Sequence, residues 1–305
     1  MKLSIIITSY NTKALLDTCL NSLYTYLPKI EFEVVVVDNA SSDDSVAYVK
    51  KNFPKVTIIA NKKNVGFGAA NNQGVAKASG DLILLLNSDA YLIDNSLQTF
   101  LLKQSDKKEN FTNTIIGAQL LNSDQSIQAS AGFAPTLIRV WLQMLFVDDL
   151  PIIDSLLKSY QESRASFYKK RRSVDWVTGA FMLMPKELFN NIGGFDESIF
   201  MYGEEVDLCF RAKKQNTNII FDPNIKLVHA KGGSSQDGFA KAIQGEYQGL
   251  WHFYQKHFPK KRDSLAAALQ WGALLRSVLF AIISPDKAKV YRALLENSKN
   301  YEQNP

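Results

Sequence analysis

The chain begins with an apolar run that ends in hydroxyl and amide side chains, LSIIITSYN at residues 3–11. Further short apolar runs follow at Glu33–Val37, Val56–Ile59 and Leu82–Leu86. Runs of this length and composition are typical of parallel strands that are buried on both faces. Helical patterns fill the gaps after the runs, at Lys13–Thr25, Ser45–Asn52, Gly66–Lys77 and Ser96–Lys103. This alternation of strand and helix predicts an α/β fold with a doubly wound, mostly parallel sheet.

The composition indicates a globular chain that does not bind nucleic acid. Its 305 residues are 46% apolar, which is enough to bury a large core. The net charge of +5 is modest, and acidic residues are spread among the basic ones, so we expect no nucleic acid partner. Cys19 and Cys209 lack the spacing of a zinc site or a disulfide framework, and we expect buried free thiols. The first residues lack a signal-peptide cleavage site, which favours a cytoplasmic location.

The second part of the chain is less regular than the first. It predicts a strand at Asn113–Ala118, a helix over Thr136–Tyr168 interrupted at Pro151, and a strand at Val174–Met184. Shorter elements follow, with helices at Pro185–Asn191 and Glu204–Lys214 and strands at Ile219–Phe221 and Lys226–Val228. We expect one domain over residues 1–258, with halves at 1–112 and 113–258, and a helical appendage at 259–305.

Polar clusters follow the predicted strands of the first part. They are Thr8–Asn11, Asp38–Ser41, Asn61–Gly66 and Asn87–Asp89. Ligands of an open α/β sheet collect outside the carboxyl ends of its strands. Turns and helix caps would explain any one cluster, because Asn, Asp, Ser and Gly are common there. Their succession at one sheet edge favours a ligand crevice.

The chemistry of these clusters suits a nucleotide with a divalent cation. The chain has neither Gly-x-Gly-x-x-Gly after the first strand nor a P-loop sequence, which disfavours a dinucleotide turn or a triphosphate loop. Asp38, at a strand end, can accept a hydrogen bond from a base imide or a ribose hydroxyl. Asn87, Ser88 and Asp89 offer one carboxylate and two neutral oxygens, with which Mg²⁺ or Mn²⁺ would join protein and diphosphate.

The motifs at these positions resemble those of a known enzyme family. They are SIIITSYN at 4–11, VDNASSD at 37–43, NVGFG at 64–68 and LNSD at 86–89. They are similar to those of the inverting family 2 glycosyltransferases, and within them to bacterial rhamnosyltransferases of cell-surface polysaccharide synthesis. The resemblance covers roughly residues 1–235. It implies the GT-A fold of nucleotide-diphospho-sugar transferases, with a nucleotide-sugar half at 1–112 and an acceptor half at 113–258.

The resemblance also assigns roles on the donor side of the site. Asp89 would bind the metal, while the nucleotide or donor contacts would be Thr8, Tyr10, Asn11, Asp38, Asn64, Gly66, Asn71, Asn87 and Ser88. The usual metal motif of the family is Asp-x-Asp, and this chain has Asn87 at the first position. The loss of one carboxylate weakens the attraction for a hard cation, so we expect a looser dependence on Mn²⁺ or Mg²⁺.

An inverting transfer needs a carboxylate within hydrogen-bond reach of the attacking acceptor hydroxyl. The pair Glu204 and Glu205 resembles the family's Glu-Asp motif at the start of a helix. We assign the base role to Glu205 and acceptor orientation to Glu204, with Asp207 as the second choice for the base. The alternative is that these acidic residues only stabilise the helix, because negative charge is favourable at a helix N-terminus. Further candidate acceptor contacts are Trp176, Gly179 and Asp207.

His229 ends a short apolar strand and precedes a glycine-containing segment, Ala230–Ser235. A lone histidine is often only a packed or solvent-exposed residue. The resemblance implies a second role, because family members often carry a histidine before a Gly-Gly-Ser segment that closes over the diphosphate. We therefore expect His229 to contact the metal or diphosphate, next to a mobile flap.

The C-terminal appendage contains an apolar helix at Leu265–Ile283 with one narrow polar stripe. Arg276 near its middle would be costly in the hydrocarbon core, so we expect the helix to lie in the membrane interface. Upstream basic residues would meet anionic headgroups at Lys256, Lys260, Lys261 and Arg262. The residues expected to enter the acyl boundary are Leu269, Trp271, Leu274, Leu275, Leu279 and Phe280. The alternative is a helix packed on the catalytic domain or on a second subunit of a homodimer.

The sequence therefore predicts an inverting glycosyltransferase at the inner face of the cell membrane. Its donor would be a dTDP- or UDP-linked sugar, with rhamnose as a candidate, and its acceptor a saccharide or lipid-linked saccharide. A second hypothesis is a binding module on the same fold that lost catalysis through the Asn87 and Glu205 changes. A third, a nucleotidyltransferase, would need a Gly-rich triphosphate loop after the first strand, which Thr8–Asn11 is not.

Overall fold

The structure is a computed structural model that describes residues 2–106, 111–147, 158–230 and 238–301. The chain divides into two compact units. The first unit is formed by residues 1–131 and 162–236, and the second by residues 132–161 and 237–305. This division differs from the predicted boundary after residue 258. The helix before that boundary groups with the C-terminal helices, because its aromatic side chains, including Tyr254 and Phe253, are buried in the second unit.

A central sheet forms the first unit. The strands, in chain order, are β1 (Leu3–Ser9), β2 (Phe32–Asp38), β3 (Thr57–Ala60), β4 (Leu82–Asn87), β5 (Ala90–Leu92), β6 (Thr114–Leu121), β7 (Ile127–Gln128), β8 (Ala131–Gly132), β9 (Arg172–Ser173), β10 (Trp176–Val177), β11 (Phe181–Pro185) and β12 (Asn218–His229). Strands β8 and β10 form a separate two-stranded sheet, and the others belong to the central sheet. The strand order is β3-β2-β1-β4-β11-β6-β12-β5, and β1 to β4 are parallel to one another. Strand β11 runs antiparallel to β4. The predicted α/β fold with a mostly parallel central sheet is confirmed.

The apolar runs at the start of the chain form the centre of this sheet. Ile5, Ile6 and Ile7 of β1 are fully buried, as is Leu84 of β4. The sheet is accompanied by α1 (Lys13–Tyr26), α2 (Ser45–Asn52), α3 (Phe67–Lys77) and α4 (Ser96–Asp106). Cys19 is a buried free thiol in α1, as predicted. Continuous burial on both faces explains why these strands were recognisable without an alternating pattern.

Two irregularities in the second part differ from the predicted elements. The predicted strands Ile219–Phe221 and Lys226–Val228 are one strand, β12, whose register with β6 shifts between Asp222 and Lys226. The predicted strand Val174–Met184 is interrupted between β10 and β11. Pro223 lies at the first irregularity and Gly179 at the second, and both residue types interrupt regular strand pairing.

The predicted long helix over Thr136–Tyr168 is largely wrong. A helix, α5, covers only Leu137–Met144, and residues 148–157 lie outside the described residues. Residues 158–166 are not helical, and Tyr168 belongs to a short 3₁₀ turn. Its hydroxyl donates to Glu162 O at 2.7 Å and accepts from Ser130 N at 3.0 Å. The Tyr168 ring packs edge-on against Phe221 of β12, with ring centroids 5.1 Å apart. Apolar spacing does not distinguish such a residue from one on a helix face.

Two helices complete the first unit, α6 (Lys186–Ile192) and α7 (Glu204–Lys214). Both were predicted, and the bounds of α7 agree with the prediction. The end of α6 uses Gly193 in the left-handed conformation at a φ of 86°, where glycine is the favoured residue.

The second unit contains α5 together with α8 (Gly238–His257), α9 (Arg262–Ile283) and α10 (Pro285–Tyr301). Arg276 of α9 is only 9% exposed, and its guanidinium donates to the carbonyls of Gln143 and Met144 at the end of α5. Leu269 is also buried, so the prediction that it enters the acyl boundary is wrong. The helical period places Leu269 on the inward side of α9, whereas Trp271 lies on the exposed side.

The stretch Pro259–Ile283 meets the length and hydropathy of a membrane-crossing helix, with a mean hydropathy of 1.7. However, 39% of its apolar window is buried inside the protein. Core helices of soluble proteins pass the same test, so this property does not establish a membrane span.

Candidate active site

The register of the parallel strands brings the polar clusters together at one sheet edge. Thr8 pairs with Val37 of β2 and with Asn87 of β4, and Ser9 pairs with Asp38. Behind this edge, Thr12 Oγ1 donates to Ser88 Oγ at 2.8 Å. The carboxyl ends of three strands therefore lie side by side.

One carboxylate oxygen of Asp38 accepts a hydrogen bond within the protein, and the other does not. Its Oδ2 accepts from Ser41 N at 2.9 Å, whereas Oδ1 is buried without a protein hydrogen-bond partner. The hydroxyl of Thr8 is buried and unpaired in the same way. In the turn between Asp38 and Ser41, Ala40 has a φ of 65°, a strained value for a residue with a Cβ. Unpaired buried oxygens and a strained turn are typical of a site that binds a ligand.

The Asn64–Gly66 turn is held from both sides. Asn64 Oδ1 accepts from Gly66 N at 2.9 Å, and Asn39 Nδ2 donates to Gly66 O at 3.2 Å. Gly66 has a φ of 88°, and a Cβ there would lie 2.5 Å from Phe200 O. Phe67 N donates to the same carbonyl at 3.0 Å. Glycine is therefore required at residue 66, and the turn is tied to the loop that precedes α7.

The other predicted donor contacts have different surroundings. Asn71 is 1% exposed, and its Nδ2 donates to Phe67 O one turn back in α3 at 3.0 Å. Asn11 Oδ1 accepts from Ser42 N at 2.7 Å, which joins the loops after β1 and β2. Tyr10 is 39% exposed at the same edge. Tyr10 is thus open to a ligand, whereas Asn11 and Asn71 have hydrogen bonds that organise the backbone.

Asn87, Asp89 and His229 form a compact cluster at the end of β4 and β12. His229 Nε2 lies 3.2 Å from Asp89 Oδ1 and 3.2 Å from Asn87 Nδ2. Pairing of β12 with β5 sets this arrangement, since His229 is opposite Ala90 and Ala230 N donates to Asp89 O at 2.9 Å. Asn87 Oδ1 is buried without a partner. The predicted flap, Gly232–Ser235, lies outside the described residues.

The donor atoms of Asp89 and His229 fit a divalent cation. Neighbouring ligands of an octahedral ion at about 2.1 Å lie about 3.0 Å apart, close to the 3.2 Å between His229 Nε2 and Asp89 Oδ1. Within the described ranges, no group of three or more His, Cys, Asp or Glu side chains is placed to hold a metal. The pair would therefore need the ligand or water to complete a coordination shell.

Glu204 and Glu205 begin α7, after Gly203. Burial, followed by the charge of Glu205, raises the pKa of Glu204 well above its usual range, and burial also raises the pKa of Glu205. One oxygen of each carboxyl, Oε2, is buried without a hydrogen-bond partner. A buried carboxyl with a raised pKa suits proton transfer near neutral pH.

The segment between β10 and β11 connects this helix to the strand edge. A Cβ at Gly179 would lie 4.0 Å from Glu205 Cβ and 2.8 Å from Phe67 Cε1. The next residue, Ala180, accepts through its carbonyl from Asn87 N at 3.2 Å. Glu205 is therefore separated from the Asn87–Asp89 cluster by one short backbone segment. Gly179 keeps that segment close to Phe67.

Asp207 and Trp176 are more enclosed than the other predicted acceptor contacts. Asp207 is fully buried, and Arg211 Nε donates to its Oδ2 at 2.7 Å. Arg211 also donates to the carbonyls of Ile192 and Gly194. Trp176 is 8% exposed. The Asp207 ion pair anchors α7 to the end of α6, which favours Glu205 over Asp207 as the proton acceptor.

Sequence reasoning missed Phe200 and Gln128. Phe200 contacts the Gly66 turn through its carbonyl and is 56% exposed. Gln128 is 3% exposed, and its Oε1 lies 2.7 Å from His229 Nδ1. Gln128 had no signal, because it is one amide in a polar stretch. Phe200 had a weak sequence signal, because it is an aromatic residue shortly before the acidic pair Glu204 and Glu205.

The profile of Glycosyl transferase family 2 matches residues 4–139. That segment contains Asp38, the Asn64–Gly66 turn and the Asn87–Asp89 cluster. These residues of the chain form a family 2 glycosyltransferase domain. The unpaired oxygens of Thr8, Asp38 and Asn87 therefore lie within the matched residues of this glycosyltransferase, whereas those of Glu204 and Glu205 lie outside them.

Similar proteins cover most of this glycosyltransferase. It is 25% identical over 259 residues to the N-acetylglucosaminyl-diphospho-decaprenol L-rhamnosyltransferase of Mycobacterium tuberculosis, across 81% of this chain and 82% of the relative. It is 26% identical over 201 residues to the rhamnosyltransferase WbbL of Escherichia coli K12, across 61% of this chain and 67% of the relative.

Solved structures share its fold. The mannosyltransferase PcManGT from Pyrobaculum calidifontis, in complex with GDP-Man and Mn²⁺, matches with a TM-score of 0.56 and 17% identity, across 98% of this chain and 84% of that chain. This similarity confirms the expected GT-A fold.

Proposed function

We propose that this glycosyltransferase transfers a sugar, with inversion, from a dTDP- or UDP-linked donor to a saccharide or lipid-linked saccharide acceptor in cell-surface polysaccharide synthesis. Rhamnose is the candidate sugar, because two of its relatives are rhamnosyltransferases. The observation that carries the proposal is that carboxyl oxygens of Asp38, Glu204 and Glu205 are buried without partners in the first unit. Such oxygens are costly unless a substrate or a proton satisfies them.

The donor would lie along the ends of β1, β2 and β4. Asp38 Oδ1 and Thr8 Oγ1 are the unpaired groups that suit the base or ribose of a nucleoside. Tyr10 is exposed beside them and would cover the base. Asn64 and Gly66 shape the turn that would follow the nucleoside, while Asn11, Asn71 and Ser88 would hold the surrounding backbone.

A divalent cation, Mn²⁺ or Mg²⁺, would be held by Asp89 and His229. When bound, it would neutralise the charge that develops on the departing diphosphate. Asn87 Oδ1, buried and unpaired beside this pair, offers a further neutral ligand. The structural relative PcManGT was solved with GDP-Man and Mn²⁺. Other coordination positions would be left to the donor and to water.

Glu205 would act as the base. Its free Oε2 would take the proton of the acceptor hydroxyl as that oxygen forms a bond to the anomeric carbon. The bond between that carbon and the diphosphate oxygen breaks, and the bonding electrons leave with the diphosphate. Attack opposite the leaving group inverts the anomeric configuration. Glu204 would orient the acceptor through a second hydrogen bond, and the backbone of Gly179 would border its site.

The exposed face of α9 supports attachment to a membrane surface. Trp271, Val278 and Ile282 are 57%, 60% and 90% exposed and lie on one side of the helix. Exposed basic residues precede them at Lys256, Lys260 and Lys261. We propose that this face enters the headgroup region of anionic lipids at the cytoplasmic side, where a lipid-linked acceptor would be available.

Vesicle sedimentation tests the attachment. Val278→Glu combined with Ile282→Glu should lower binding to phosphatidylglycerol vesicles by about tenfold or more, because charges are costly in the acyl boundary. Ile138→Glu is the matched control, since Ile138 is exposed on α5 and lies outside this face. Equal binding by the double variant and the control would contradict the proposal.

A binding and product assay tests the transferase function. Among dTDP, UDP and GDP, we expect dTDP or UDP to raise the melting temperature most, and Mn²⁺ to increase that rise. Asp38→Asn should abolish this rise in melting temperature. One Asp38 oxygen accepts from Ser41 N and the other would accept from the nucleoside, whereas an amide has only one oxygen that can accept. Incubation with the matching sugar nucleotide should release nucleoside diphosphate slowly, and proton NMR of the product should show the inverted anomer. Nucleotide binding without any release would instead indicate the catalytically inactive binding module.

A further inference from the structure

A chain of hydrogen bonds lies behind His229, on the side away from Asp89. Gln128 Oε1 is 2.7 Å from His229 Nδ1, and Gln128 Nε2 donates to Asn122 Oδ1 at 2.8 Å. Asn122 Nδ2 donates to Ser126 Oγ at 2.9 Å, and Ser126 Oγ donates to Asp124 Oδ1 at 2.6 Å. All of these residues belong to the hairpin of β6 and β7 except His229 itself.

The direction of every bond in this chain is determined by its last member. Hydrogen bonds from Ser126 lower the pKa of Asp124, so its carboxylate is ionised at neutral pH and only accepts. Ser126 must then donate to Asp124 and accept from Asn122. Asn122 Oδ1 therefore faces Gln128 Nε2.

A second contact prevents the Gln128 amide from flipping. Gln128 Nε2 also donates to the His229 backbone carbonyl at 3.2 Å. A flipped amide would place its oxygen against two acceptors, Asn122 Oδ1 and His229 O. Gln128 Oε1 therefore faces His229 Nδ1, which must carry the hydrogen. In the neutral ring Nε2 then has the lone pair, and Asn87 Nδ2 lies 3.2 Å from it.

We propose that Gln128 is a positioning residue that holds His229 in the Nδ1–H tautomer, so that Nε2 serves as a ligand for the donor's divalent cation. The inference rests on the proposed function, because the cation is part of it. Nε2 and Asp89 Oδ1 lie 3.2 Å apart, and in this neutral tautomer each presents a lone pair to the other. Two such atoms repel unless a cation or a proton lies between them. Outer hydrogen bonds of this kind commonly tune a histidine ligand.

The tautomer can be measured directly on the intact protein. The chain has three histidines, and the spectrum of His229→Gln identifies the signals of residue 229. In ¹⁵N-correlated NMR of the metal-free protein near pH 8, we expect a protonated, pyrrole-like Nδ1 and a pyridine-like Nε2 for His229. Gln128→Met removes the acceptor with little change in shape, and the signals should move toward the Nε2–H form. Protonation at Nε2 in the unmodified protein would overturn the proposal, even if the variant does not fold.

Cation affinity supplies the second readout. Binding of Mn²⁺ in the presence of UDP or dTDP, measured by electron paramagnetic resonance, should weaken about 10- to 100-fold in Gln128→Met. Gln119→Met is the matched control, because Gln119 is 4% exposed on β6 and donates to Leu120 O.

The failures of the two ideas are distinguishable. If His229→Gln binds Mn²⁺ as tightly as the unmodified protein, the metal role in the proposed function is wrong. If His229→Gln weakens binding but Gln128→Met alters neither tautomer nor affinity, the role of Gln128 alone is wrong. Weakened binding in Gln128→Met with an unchanged tautomer would also overturn the positioning role.

Discussion

Buried charged groups at the site edge of the first unit and in the second unit differ in their hydrogen bonding. At the site edge of the first unit, Thr8, Asp38, Asn87, Glu204 and Glu205 have buried oxygens without protein partners. In the second unit, the Arg276 guanidinium donates to three carbonyls and stacks on the Phe146 ring at 4.1 Å. Glu246 there accepts from the amides of Gln143 and Gln161 at 3.1 and 3.2 Å.

This difference separates a binding function from a structural one. A buried polar group without a partner costs free energy, so it persists where a ligand supplies the partner. A buried charge whose bonds are all made by its own unit contributes to a defined packing arrangement instead. We therefore expect substitutions at the site edge to change activity more than stability, and substitutions of Arg276 to do the reverse.

The largest effect is expected for Glu205→Gln. The amide cannot accept the acceptor's proton, so kcat should fall about 10³-fold while nucleotide binding is retained. Glu187→Gln is the matched control, because Glu187 is an exposed acidic residue in the first turn of α6. Turnover and the nucleotide-induced thermal shift measure the two effects. Comparable activity of the two variants would leave only the helix-dipole explanation for Glu205.

Arg276→Met should produce the next largest effect, on stability. It leaves the carbonyls of Gln143 and Met144 and the Glu246 carboxyl without their cation, which should cost about 3 kcal/mol. Hydrogen exchange should increase in α5, α8 and α9, with nucleotide binding unchanged. Arg292→Met, at an exposed position on α10, should have almost no effect. Exchange that increases equally in both variants would show that Arg276 contributes only surface charge.

The smallest effect, and a gain, is expected for Glu204→Gln. The folded-state pKa of Glu204 is raised above its unfolded value, so the folded protein loses stability as pH rises from the ordinary carboxyl range through that raised pKa. Glutamine removes this loss and should add about 1 kcal/mol to the free energy of unfolding at pH 8. Below about pH 4, near the unfolded pKa of a carboxyl group, the gain should vanish. Urea titrations at both pH values measure it, and a gain independent of pH would argue against a charge effect.

Much of the fold was predictable because it depends on local composition. The buried strands β1, β2 and β4 are continuous apolar runs, and α7 begins where acidic residues follow a glycine. The loop at 158–168 was not predictable, because the Phe167 and Tyr168 rings pack on Phe221 of β12 rather than forming a repeating helix face. Helical spacing alone does not distinguish these two ways of burying a ring.

The residue types of the candidate site were also predictable, but not all of their hydrogen-bond partners were. The motifs around Asp38, Asp89 and Glu205 stand at strand and helix ends, where ligands collect in this class of sheet. The spacing of Asp207 and Arg211 on α7 is typical of an intrahelical ion pair, but no sequence pattern indicated that Gln128 lies behind His229. The second pairing depends on packing between distant segments, because Gln128 and His229 are 101 residues apart in the chain.

Residue order alone specified the alternating strands, the polar clusters that follow them and the acidic start of α7, because each depends on neighbours within a few positions. Tertiary structure decided which oxygens of those clusters remain unpaired, which face of α9 is exposed and which nitrogen of His229 carries its hydrogen. These properties depend on register and packing between distant segments, since a hydrogen-bond partner is chosen only when two segments meet.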